Sequence, residues 1–130
     1  MPQFLLSNRF WTAFGAMLAA LAVAAGAYGW HALEGDQAFR DIFMLAVQYH
    51  MWHALGLIAV GWRCAAGPGA AKWAAFAGIC FSLGIVLFSG NLYVFAMQAQ
   101  VALKGAAPVG GAAFMAGWAL LAVSALAKSD

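Results

Sequence analysis

Four long apolar segments, residues 10–33, 42–63, 72–97 and 107–127, take up most of this 130-residue chain, and polar links of eight or nine residues separate them. That layout leaves few folds open. A bilayer core about 30 Å thick is crossed by roughly 20 apolar residues in a helix. Inside lipid a helix satisfies its own backbone hydrogen bonds, which an open strand or loop cannot do. Each segment is long enough for one crossing. The links are too short for folded insertions, so consecutive helices must be antiparallel neighbours. The expected fold is all-α, an integral membrane up-down four-helix bundle, with residues 1–130 forming a single four-span domain.

Composition closes the soluble alternatives. Hydrophobic residues make up 66% of the chain and charged residues 8%, whereas a soluble domain carries about 25% charged residues. The formal net charge is +2 with no run of Lys or Arg. Nucleic acid is therefore not an expected partner, and no polybasic cluster suggests a headgroup switch. The expected environment is the lipid bilayer. Cys64 and Cys80 form no CxxC or metal-spaced motif and read as small buried hydrophobes.

Orientation follows from Lys and Arg placed around the spans. Arg9, Arg63, Lys72 and Lys128 fall on one side, and Arg40 and Lys104 on the other, beside Glu34, Asp36 and Asp41. The bias puts both termini in the cytoplasm. Trp11, Trp30, Trp62 and Trp73 fall near the expected membrane interfaces, and Trp52 and Trp118 lie deeper. A competing reading takes Arg9, the following apolar stretch and the small residues at 24–27 as a cleaved secretory signal. A retained helix accounts better for Trp30 and His31 as its interfacial end and keeps an even helix count.

Small residues recur at helix-neighbour spacing: Gly15, Ala19, Ala22, Gly26 and Gly29 in the first span, Gly78 and Ser82 in the third, and Gly110, Ala113 and Gly117 in the fourth. Such residues let membrane helices approach closely. The Ser89-Gly90-Asn91 step is expected to loosen the third span.

The polar side chains inside the spans gather in one leaflet. With both termini inside, Gln48, Tyr49, His50 and His53 occupy the outer half of span two, Ser89, Asn91 and Tyr93 the outer half of span three, and His31 the outer end of span one. An intramembrane ionisable residue is a site hypothesis by default. The cluster reads in two ways: as interhelical hydrogen bonding, or as a pocket for a small ligand, metal or quinone headgroup. A three-histidine metal site is disfavoured by depth. At about 1.5 Å per residue, His53 lies roughly 16 Å into its span and His31 only about 3 Å. Haem needs axial ligands from opposite faces, and His50 and His53 share one helix. No cofactor is specified by the residues. Catalysis has no support either: GxSxG, a phosphate-binding loop and intramembrane paired carboxylates are all missing. Asp36 is expected to cap the second helix. Transport would require a substrate path that four short helices without an internal repeat do not suggest.

Four ordered motifs carry a resemblance: Gly26-Ala-Tyr-Gly-Trp-His31-Ala-Leu, Ala46-Val-Gln-Tyr-His-Met-Trp-His53-Ala-Leu, Leu87-Phe-Ser-Gly-Asn-Leu-Tyr93, and Pro108-Val-Gly-Gly-Ala-Ala-Phe-Met-Ala-Gly117-Trp118. Together they resemble the small bacterial membrane family labelled domain of unknown function 423, similar to eukaryotic transmembrane protein 256. The resemblance implies a four-helix integral membrane protein and transfers no activity. It marks His31, Gln48, Tyr49, His53, Ser89 and Tyr93 as recurring polar positions and implies that Gln often stands at position 50. It also speaks against signal cleavage, because the first motif spans the cleavage region. The expectation is a multi-pass bacterial inner-membrane protein, non-catalytic, acting as an accessory or scaffold component in contact with a membrane-protein partner or its own copies. The alternative is a binding or transport protein for a small solute, metal or lipophilic cofactor.

Overall fold

The computed structural model describes residues 1–127 and is helical throughout apart from its links. A 3-10 turn, Gln3–Leu6, precedes α1 (Asn8–Ala32), α2 (Gln37–Cys64), α3 (Pro68–Gln98) and α4 (Ala106–Leu126). All four helices are long and apolar enough to cross a membrane. Lys128, one of the residues behind the charge bias, lies outside the described residues.

Local chemistry sets the helix boundaries. The Ser7 hydroxyl accepts the Phe10 N–H at 3.4 Å, opening α1. The Asp36 carboxylate accepts the Phe39 N–H at 3.2 Å, and α2 therefore starts at Gln37, ahead of the apolar run that begins at 42. Its first turn is held by polar side chains: Gln37 donates to Asp41 at 2.7 Å and Arg40 donates to Gln37 at 2.5 Å. Pro68 occupies the first turn of α3, where its missing N–H is harmless. Gly67 and Gly105, with φ of 129° and 76°, turn the chain between helices in a region that L side chains rarely adopt. The loosening expected around Ser89-Gly90-Asn91 takes the form of a π segment, Ile85–Gly90, inside α3.

The helices are laid out as a row. α2 and α3 lie side by side in the centre, α1 packs along α2, and α4 packs along α3, while α2 and α4 meet only lightly. Packing rather than hydrophobicity must join helices in lipid, and here large rings settle on glycines of neighbouring helices. Phe43 of α2 covers Gly29 of α1; Trp11 of α1 covers Gly78 of α3; Phe114 of α4 covers Gly84 of α3. Phe81 of α3 is fully buried between Gly56 of α2 and Gly117 of α4. On α1, Gly15 approaches the Ala54 backbone so closely that an added Cβ would sit 2.7 Å from its carbonyl.

Trp11 marks a difference from the expected interfacial tryptophan. It lies near the start of α1 but is only 2% exposed, because the Gly78 notch receives its ring and the Leu5 carbonyl accepts its indole N–H at 2.7 Å. Trp30, Trp62 and Trp73 do face outward.

Candidate functional site

His53 projects from α2 into the seam shared with α3 and α4. Its ring stacks on Phe114 with centroids 3.5 Å apart and planes 10° from parallel, and it is 3% exposed. Nδ1 lies 2.6 Å from the Tyr49 carbonyl one turn back, and Nε2 lies 3.1 Å from the Trp118 indole nitrogen of α4. A carbonyl can only accept and an indole N–H can only donate. That fixes the tautomer: Nδ1 carries the proton and gives it to Tyr49, and the Nε2 lone pair takes the Trp118 N–H. Both nitrogens are occupied by protein partners.

His50 turns elsewhere. Its Nδ1 pairs with the Tyr93 hydroxyl of α3 at 2.9 Å. Its Nε2 is buried without a hydrogen bond of good geometry, with the Leu18 backbone of α1 alongside. Three residues are about 300° of helix, and with different flanking helices the two imidazoles do not converge. Among the described residues no group of three His, Cys, Asp or Glu is placed to hold a metal ion.

The other polar positions divide. Tyr49 packs against Trp52 and Phe88, with centroids at 5.0 and 4.6 Å. Asn91 accepts the Leu103 N–H at 3.2 Å and so ties α3 to the link before α4. Ser89 is fully buried in the π segment, and its hydroxyl has no partner among the described residues. Gln48 is exposed on the outside of α2, and His31 is exposed at the end of α1, so neither joins the others. The structure brings Tyr49, His53, Phe114 and Trp118 together as one group and His50 with Tyr93 as another.

Two features have almost no signal in the sequence. Arg63 reads there only as a topology charge, yet it donates from Nε to the Ser124 hydroxyl at 3.2 Å and from Nη2 to the Ser124 carbonyl at 2.6 Å, clamping the ends of α2 and α4. Beside His53 a groove of about 430 Å³ runs between α2 and α4, bordered by Tyr49, Trp52, Phe88, Gly111, Met115 and Trp118. Its only trace in the sequence is the aromatic content of the second and fourth motifs. A cavity of about 550 Å³ lies at the Arg63 end of the helices, where Met1, Leu6, Cys64 and Lys72 border it.

Residues 25–111, most of the chain and all of the first three motifs, match the family described as protein of unknown function, DUF423. The chain belongs to the DUF423 family. It is similar to the UPF0382 membrane protein YwdK of Bacillus subtilis, 42% identical over 120 residues, covering 86% of this chain and 92% of that protein. It is also similar to the UPF0382 membrane protein SH2409 of Staphylococcus haemolyticus, 39% identical over 85% of this chain and 89% of that protein. The UPF0382 inner membrane protein YgdD of Escherichia coli is 32% identical over 93% of this chain and 92% of its own length. No solved structure matches. Four apolar helices and the naming of these DUF423 relatives make this a multi-pass inner-membrane protein of an uncharacterised family.

Proposed function

We propose that the protein is a non-catalytic accessory or scaffold component of a membrane assembly. The observation that supports this reading is the closure of its best-placed titratable group: both nitrogens of His53 are spent on Tyr49 and Trp118 within the chain. A proton carrier or metal ligand needs a free lone pair. Here the imidazole joins α2 to α4 instead. The outer face of α1 fits a partner-seeking protein. Ala13, Ala16, Ala20, Ala24 and Ala27 are all exposed along it, at the small-residue spacing that lets membrane helices approach. The orientation proposed with this reading puts both termini in the cytoplasm, with Arg9, Arg63 and Lys72 at that end, and the polar groups in the outer leaflet. The likeness to transmembrane protein 256 rests on the four sequence motifs and extends the proposal to a broader set of relatives.

The experiment is native mass spectrometry of the full chain extracted gently from its own membrane. The expected result is a stable assembly with another membrane protein or with further copies. A bare monomer that carries no partner at any detergent strength would overturn the accessory reading. The alternative, binding or transport of a small solute, metal or lipophilic cofactor, has less behind it at His53, because both nitrogens of that imidazole are engaged. A reproducible metal or polar solute in the same spectra would favour it.

A further inference from the structure

We infer that the groove between α2 and α4 is a lateral binding site for a flat, lipid-soluble ring that carries carbonyl groups, the chemistry of a quinone. This goes beyond the accessory role and does not depend on it, since a scaffold needs no such groove. The volume, about 430 Å³, falls within the range of about 300–1,000 Å³ usual for small-molecule sites.

The groove exists because α3 holds α2 and α4 apart. Its inner wall is Phe88 from the π segment, against which Tyr49 packs at 4.6 Å and Phe114 at 5.7 Å. On the α4 side the surface is cut low by Pro108, Gly111 and Ala112. The rim is outward-facing: Trp52, Met115 and Trp118 are 51%, 71% and 46% exposed. The opening therefore meets lipid at mid-helix, and a ligand would enter sideways from the bilayer.

The walls select the occupant. A lipid tail gains little from leaving other tails for an apolar groove, since both surroundings are equally apolar. A planar ring gains more, because aromatic faces stack on one another. Tyr49 supplies the second element. It borders the groove, and its hydroxyl takes part in no side-chain hydrogen bond among the described residues. In hydrocarbon a lone hydroxyl is costly, and a ligand carbonyl would relieve it. The Trp118 N–H is already committed to His53, so Tyr49 is the residue that holds the carbonyl. The tail of such a ligand would remain in lipid. No electron transfer is implied; the site binds.

Gly111 provides a clean test. It borders the groove, and a Cβ built there meets nothing within 4 Å, so a larger side chain fills the groove without disturbing the helix packing. The full chain in nanodiscs of phosphatidylethanolamine and phosphatidylglycerol would be titrated with decylubiquinone while tryptophan fluorescence is read. Two of the six tryptophans, Trp52 and Trp118, border the groove. The expected result is saturable quenching, lost in Gly111→Leu at unchanged helicity and thermal stability. Tyr49→Phe, which keeps the ring and removes the hydroxyl, should weaken binding roughly three- to tenfold. Quenching that rises linearly with quinone per lipid, or that is the same in Gly111→Leu, would overturn the site. Saturable binding with unchanged affinity in Tyr49→Phe would overturn the carbonyl assignment and leave a site for any apolar ring.

Discussion

A buried histidine in a membrane helix can be a ligand, a proton carrier or a fastener, and its two nitrogens decide which. In His53 one nitrogen holds its own helix and the other holds α4, with the ring face against Phe114. Removal should therefore be costly: His53→Ala is expected to destabilise the protein by about 2–4 kcal/mol, combining a lost ring with an orphaned indole N–H. His31→Ala, at an exposed helix end, should stay within about 0.5 kcal/mol. Reversible unfolding in mixed micelles measures both, and equal effects would contradict the placement. His50 offers a contrast. Its protein partner is the Tyr93 hydroxyl, which a glutamine amide can also meet. His50→Gln should cost under about 1 kcal/mol and His50→Leu about 1–2 kcal/mol, through the unpaired hydroxyl. Both histidines are visible in the sequence as polar groups in apolar runs. Sequence alone does not tell them apart, because Tyr93 and Trp118 stand 43 and 65 residues away. Which side of the helix each imidazole takes depends on which helix lies there. Gln48 shows the same limit: the order of residues gives its depth, but its exposed face comes only with the neighbours in place.

At the scale of elements, the four helices are legible because length and apolarity alone define a span, and Asp36 marks one helix start by known end chemistry; Pro68, which opens α3, falls in what reads as a link, ahead of the apolar run that begins at 72. Which glycines matter is not legible. Gly84 and Gly111 look alike as letters, but an added Cβ at Gly84 runs into the Phe114 ring, whereas at Gly111 it meets nothing. Gly84→Ala should thus destabilise by about 1–3 kcal/mol through overpacking. Gly111→Ala should be neutral or stabilise by up to about 1 kcal/mol through helix propensity. The same unfolding measurement separates them, and a reversed order would refute the notch description. The π segment carries a second consequence. A π turn amounts to one residue inserted in an α-helix. Deleting Gly90 should therefore restore regular α-helix and leave the C-terminal part of α3 close to its present rotation. Tyr93 would still meet His50, and Asn91 the Leu103 N–H. The expected outcome is a folded protein whose stability lies within about 1 kcal/mol of the parent. A loss of about 3 kcal/mol or more would mean that the π segment does more than take up one extra residue.

For the whole molecule, the row of helices has a consequence that a closed square bundle would not have. α1 and α4 flank the central pair and meet lipid over most of their surface, as the exposed Ala24 and Ala27 of α1 and Met115 and Leu126 of α4 illustrate. One end of the four helices is clamped by Arg63 on Ser124 and by Trp11 on Leu5. The other is dressed by the Arg40 guanidinium 4.5 Å over the Trp30 ring and by the Gln37–Asp41 pair. Which end faces the cytoplasm decides from which leaflet a ligand reaches the groove. Arg9, Arg63 and Lys72 belong to the first end, and Arg40 and Lys104 to the second, where Glu34, Asp36 and Asp41 also lie. Acidic residues contribute little to topology, whereas Lys and Arg near span ends set it. The first end should be cytoplasmic. A green fluorescent protein fused after residue 130 should then fluoresce, and alkaline phosphatase fused there should be inactive. Alkaline phosphatase fused within residues 99–105, which join α3 to α4, should be active. The opposite pattern would invert the protein and move the groove to the cytoplasmic leaflet. Because the groove lies nearer the 99–105 link than the Arg63 clamp, as its bordering residues Pro108 and Tyr49 require, these fusions fix the side of the membrane from which its ligand must come.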